Sequence, residues 1–109
     1  MTKTPLPGRR VRGSRTGRPL MALLDLVGRR HALRILWELR NGPLTFRDTQ
    51  AAAEVSPSVL NARFAELREA RIVELGEEGY QLTDEGAALI EAFMPLAEWS
   101  ESWGTGMGR

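Results

Sequence analysis

Residues 43–67 read PLTFRDTQAAAEVSPSVLNARFAEL, and two short helices can be read in them. Asn41-Gly42-Pro43 ends whatever helix precedes the stretch. Thr45 supplies a cap oxygen, with Asp48 three residues on in a capping-box arrangement, so a helix is expected from about Phe46 to Glu54. Ser56-Pro57 opens the next one. Ser56 offers the cap oxygen, and Pro57 takes the first helical position, where its missing N–H costs no bond. Leu60, Phe64 and Leu67 then fall at i, i+4 and i+7, a single buried stripe.

Upstream, Pro19 suits a first helical turn, and Leu20, Leu23, Leu24 and Val27 follow at helical spacing up to Gly28. A second helix is expected over about Arg29 to Arg40, with Ala32, Leu33, Leu36, Trp37 and Leu39 inward. Downstream of Ala70 the period changes. Ile72-Val73-Glu74-Leu75, Gly76-Glu77-Glu78-Gly79 and Tyr80-Gln81-Leu82-Thr83 form the pattern of a compact hairpin. Thr83 or Asp84 caps a last helix whose apolar positions are Leu89, Ile90, Phe93, Leu96, Trp99 and Trp103, with a bend expected at Pro95.

The predicted class is therefore mainly α with a small β-hairpin, in the order helix-helix-helix-helix-hairpin-helix. That order is the winged helix-turn-helix arrangement. A short support helix holds the next helix away from the body, where it can enter a DNA major groove. Residues 1–18, rich in Gly, Pro, Ser, Thr and Arg, read as a disordered basic arm. Residues 19–104 read as the domain, and 105–109 as a flexible tail.

Charge is unevenly spread. Residues 1–18 hold six basic residues and no acid, 19–72 hold eight Arg against six acids, and 73–109 hold one Arg against eight acids. A basic front and an acidic back suit an electrostatic face for a polyanion. The 109 residues allow one domain, and the absence of cysteine excludes disulfides, thiolate metal sites and thiol-based sensing. No apolar run reaches the roughly 18 residues of a membrane span, so a cytoplasmic protein with no membrane partner is expected. His31, the only histidine, makes no metal cluster and is expected to be a partly buried structural residue. Ser56 and Ser58 have no base beside them, and Gly104-Thr105-Gly106-Met107-Gly108 follows a helix, not a strand. Neither catalysis, metal nor cofactor is expected.

The set Arg18-Pro19-Leu20, Leu24 to Gly28, Ile35-Leu36-Trp37-Glu38-Leu39, Gly42 to Phe46, Ser56, Leu60, Phe64, Glu66-Leu67, Tyr80 to Thr83 with Gly86, and Trp99 resembles the HxlR family of bacterial regulators, over about residues 18–103. The resemblance implies a dimeric winged-helix transcription regulator whose first and last helices form the dimer contact. Four departures stand out. Arg18 replaces a common cysteine, His31 replaces a common Trp, the wing is several residues shorter, and the turn before the fourth helix is one residue shorter.

On the fourth helix, Ser58, Asn61, Ala62 and Ala65 lie opposite the apolar stripe. Ser58 and Asn61 can meet base edges, and Asn suits the donor and acceptor of adenine. Arg63 and Arg68 flank that face as phosphate contacts, with Arg47, Gln50 and the capping Ser56 nearby; a plain solvated face would carry the same residues. The wing, with Glu74, Glu77 and Glu78, repels phosphate. Leu20, Leu23, Leu24, Val27, Phe93, Leu96, Trp99 and Trp103 are the expected homodimer interface, because the last helix carries more apolar surface than one small core needs. A small-molecule effector at the dimer interface is a reading left open. A winged helix used for protein interaction is the alternative to the double-stranded DNA partner.

Overall fold

Three hydroxyl caps set the frame. Thr45 Oγ1 accepts from the Asp48 amide at 3.1 Å, Ser56 Oγ from the Val59 amide at 3.3 Å, and Thr83 Oγ1 from the Gly86 amide at 3.0 Å. Each satisfies an amide that the first helical turn leaves without a partner. The computed structural model describes residues 4–108. Its elements are α1 (Pro19–Val27), α2 (Ala32–Glu38), α3 (Phe46–Ala53), α4 (Pro57–Glu69), β1 (Val73–Gly76), β2 (Gly79–Leu82) and α5 (Asp84–Met107). The order matches the expected winged helix-turn-helix arrangement. Among the described residues no helix is long and apolar enough to cross a membrane.

The hairpin pairs Val73 with Leu82 and Gly76 with Gly79 in antiparallel register. Leu44, just before α3, adds an edge to it. Its amide donates to the Tyr80 carbonyl at 2.9 Å, and the Tyr80 amide donates back at 2.8 Å. The wing is thereby tied to the entry of the support helix.

The core lies where α2, α4 and the hairpin converge, around Ile35, Leu36, Leu39, Leu60, Phe64, Leu67 and Val73. Phe64 stacks on Tyr80 with ring centroids 3.8 Å apart and planes 4° from parallel. This close parallel contact fixes α4 against the wing. Gly86 permits a close crossing, since a Cβ there would sit 2.2 Å from the Ile72 carbonyl oxygen.

Three details differ from the sequence pattern. α2 starts at Ala32, later than Arg29, because His31 caps it in a left-handed conformation (φ 67°). The buried stripe of α2 is Ala32, Ile35, Leu36 and Leu39, so Leu33, expected inward, is exposed and Ile35 takes the inward place. α5 continues through Met107, taking in Gly104 and Gly106 as helical residues, where the pattern ended the domain at 104.

Residues 4–18 lie folded back on the body. Pro5 and Gly17 are buried. The Gly8 amide donates to the Gly17 carbonyl at 2.9 Å, and Val11 and Ser14 form an isolated bridge. Gly17 has φ +71°, and a Cβ there would meet the Arg9 carbonyl oxygen at 2.1 Å, so the two limbs of the loop approach only because the residue is glycine.

Candidate nucleic-acid interface

α4 presents two unlike faces. Leu60, Phe64 and Leu67 are buried, while Ser58, Asn61, Ala62 and Ala65 are exposed on the opposite side. The Ser56 cap and Pro57 start this helix abruptly, so its first turns project beside α3 instead of fraying. Ser56 and Ser58 hydroxyls stand 3.4 Å apart at that end. The helix N-terminus also carries the positive end of the helix dipole, which favours phosphate nearby.

Arg47 and Arg68 are exposed, and Gln50 is half-buried on α3. Arg63 differs from its sequence reading. Its side chain is mostly buried, and its Nε lies 3.0 Å from Glu66 Oε1. Glu66 also pairs with Arg29 from the turn between α1 and α2. Arg63 thus belongs to a part-buried cluster that pins α4 to the α1–α2 turn, and its guanidinium is drawn inward by a carboxylate. The structure brings Ser56, Ser58, Asn61 and Ala62 together on one helix opening, with Arg68 farther along the same helix.

A second basic element stands beside α4. The arm, α1 and α4 border a cleft of about 1360 Å³, lined by Arg10 and Arg12 from the arm, Arg29 and Arg30 from the α1–α2 turn, and Ala62 and Ala65 from α4. The arm is attached by Arg9 Nη2 to Glu69 Oε2 at 3.3 Å and by the Arg12 amide to Asp25 Oδ2 at 3.3 Å. Hydrogen bonding from Thr4, with the Arg9 guanidinium beside it, holds the Glu69 carboxyl below its ordinary value of 4.5. Arg10, Arg12 and Arg30 were absent from the site read in sequence. The excess of six basic residues over 1–18 was the signal for the arm, and nothing local pointed to Arg30.

The wing carries exposed Glu74 on β1 and Glu77 and Glu78 in its turn, with Glu74 accepting from Gln81 Nε2 at 2.8 Å. Among the described residues no group of three His, Cys, Asp or Glu side chains is placed to hold a metal. His31 is half-buried at the start of α2.

Of the residues expected at the homodimer face, Leu20 and Leu24 of α1 and Leu96, Trp99 and Trp103 of α5 are exposed, and Leu24 also lines the cleft. Trp99 and Trp103 stack on each other, with centroids 5.7 Å apart and planes 10° from parallel. Of the other residues expected on this face, Leu23 and Phe93 are half-buried. Val27 is buried within the single chain, so it has little surface left for a second copy.

An exposed helix held by a short support helix and backed by a two-stranded wing defines a protein of the winged helix-turn-helix class. The model of the HxlR-like helix-turn-helix family matches residues 26–107, and the chain belongs to that family. Among solved structures it resembles quinone-bound YodB from B. subtilis, with TM-score 0.73 and 28% identity over 77% of this chain and 97% of the other. It also resembles reduced HlyU from Vibrio cholerae N16961, with TM-score 0.58 and 29% identity over 68% of this chain and 83% of the other. No functionally curated protein matches it. The chain is accordingly a DNA-binding transcription regulator of the winged helix-turn-helix type.

Proposed function

We propose that the chain acts as a homodimer on a pseudo-palindromic operator, each copy setting the N-terminal half of α4 into a major groove. The observation that carries this reading is the free face of α4. Ser58, Asn61, Ala62 and Ala65 are exposed and small or polar, on a helix whose other face is locked into the core. Small side chains let the helix approach base edges, and Ser58 and Asn61 supply the hydrogen bonds. Arg47, Gln50 and Arg68 hold the flanking backbone, and α1 and α5 pair the two copies through Leu20, Leu24, Leu96, Trp99 and Trp103. The regulator works in the cytoplasm on nearby genes. An effector between the copies would be held without thiol chemistry, since the chain has no cysteine.

Selection of bound duplexes from random DNA tests the proposal. The expected product is an inverted repeat with half-sites about one helical turn, roughly 34–36 Å, apart. Its affinity falls steeply between 50 and 200 mM salt, on the order of a thousandfold if at least six phosphates are contacted. A pool with no enriched sequence would instead assign the winged helix to protein recognition.

A further inference from the structure

The acidic wing leaves a gap in the interface. A reading helix alone makes few phosphate contacts, and phosphate contacts supply much of the affinity of DNA-binding proteins. Glu74 on β1 and Glu77 and Glu78 in the wing turn are exposed and repel the backbone. The compensating positive charge has to be placed elsewhere on the molecule.

We propose that the cleft between the arm, α1 and α4 is a trough for the DNA backbone, in which Arg10, Arg12 and Arg30 hold phosphates flanking the groove that α4 enters. The inference rests on α4 being the reading helix. Ala62 and Ala65 line this cleft and also belong to the exposed face of α4, so a strand running along that face passes the three arginines. The two alanines leave the wall of the trough low enough for a sugar-phosphate chain to lie close.

Charge pairing separates these arginines from the others in the cleft. Glu66 is occupied by Arg29 and Arg63, and Asp25 Oδ2 takes the backbone amide of Arg12. Arg10, Arg12 and Arg30 are exposed, and among the described residues none of them forms an ion pair with a carboxylate. Their charge is left for an external anion. The arm is also held in place, through Arg9 to Glu69 and Gly8 to Gly17, so its arginines are presented beside α4 at a lower ordering cost on binding.

The test is a salt titration of DNA binding by the full chain carrying Arg10→Gln and Arg12→Gln, on the selected site and on a scrambled duplex. Each phosphate contact contributes about 0.9 to the slope of log affinity against log salt, so the pair lowers the slope by about 1.8. The loss is the same on both duplexes, because phosphates carry no sequence. Arg30→Gln, on a different element, lowers the slope by about 0.9, and Arg10→Lys with Arg12→Lys keeps it near wild type. Unchanged melting temperatures show that each variant is folded. An unchanged slope in both Gln variants, with the wild-type site preference intact, overturns the trough and leaves α4 as the reading helix. A loss confined to the selected site overturns it as well. A wild-type chain with no site preference removes the reading of α4, and the trough with it.

Discussion

Asn61 and Arg68 sit on one helix and are both exposed, and in the proposed DNA complex the chemistry of their side chains divides their work. Asn61 offers one donor and one acceptor in a fixed plane, which matches adenine and no other base. Arg68 lies near the C-terminal end of α4, where a long cationic stem reaches phosphate. Asn61→Ala is expected to relax preference at particular base positions, costing roughly 1–3 kcal/mol on the best site and little on random DNA. Arg68→Ala weakens every duplex alike and lowers the salt slope by about 0.9. Titrating both variants against a selected and a scrambled site decides between the roles, and equal losses for Asn61→Ala on both would remove it as a base reader. Gly86 makes a different kind of demand. A methyl group there meets the Ile72 carbonyl oxygen at 2.2 Å, backbone against backbone, so neither side can rotate away. Gly86→Ala is expected to cost about 1–3 kcal/mol, seen as a lower urea midpoint with an unchanged m-value. A midpoint equal to wild type would mean that α5 shifts freely past the Ile72 carbonyl.

At the level of elements, Glu69 joins the arm to α4, and that joint depends on pH. Thr4 and Arg9 stabilise the charged carboxylate and hold its pKa below 4.5. A lowered folded-state pKa means that the contact is fully formed above the ordinary glutamate range. It is lost as pH falls below 4.5 through the lowered value, when the carboxyl takes up its proton. The protection of the Gly8 and Ser14 amides, which donate within the folded-back loop, measured against their intrinsic exchange rate at each pH, should therefore fall below that range. The effect should disappear in Glu69→Gln, whose arm is already loosened at neutral pH. Protection that ignores both pH and the substitution would show that the arm is held by its own turns alone. This docking was not legible in the sequence, while the helices were. Caps at Thr45, Ser56 and Thr83 act within four residues and leave a local signature, and the stripe Leu60–Phe64–Leu67 repeats with the helical period. The arm has no period. It is placed by single contacts across long separations, such as Arg9 with Glu69. Arg63 was misread for the same reason, since its partner Glu66 is local but is itself fixed by Arg29 from another element. In α2, Leu33 and Ile35 exchanged roles because the left-handed His31 sets where the helix starts, and an apolar-rich stretch fits more than one phase.

Over the whole molecule, charge and apolar surface are segregated. The basic arm and the free face of α4 border one cleft, while the residues from 73 onward carry eight acids and, among the described residues beyond Ile90, no further buried side chain. α5 extends 24 residues, about 36 Å at 1.5 Å per residue, and only its first two turns are anchored in the core. The remainder displays Leu96 at 54%, Trp99 at 59% and Trp103 at 57% exposure, with the two indoles already stacked. Stacking orders both rings before any partner arrives, which reduces the side-chain entropy lost on association. Among the described residues nothing covers them, and in the proposed homodimer a second copy would bring the same face to them by two-fold symmetry. Trp99→Ala with Trp103→Ala is therefore expected to shift the protein from dimer to monomer at micromolar concentration. Removing one buried aromatic costs about 3–5 kcal/mol, and the two copies lose four. The fold should survive, because neither ring touches the core around Phe64 and Leu36. Sedimentation velocity reads the change directly, with circular dichroism to show that the helices persist. Binding to an inverted repeat should fall to the level of an isolated half-site while the preferred half-site sequence stays the same, since α4 is untouched. A double variant that still sediments as a dimer would place the interface elsewhere and leave the stacked indoles as the seat for a different partner.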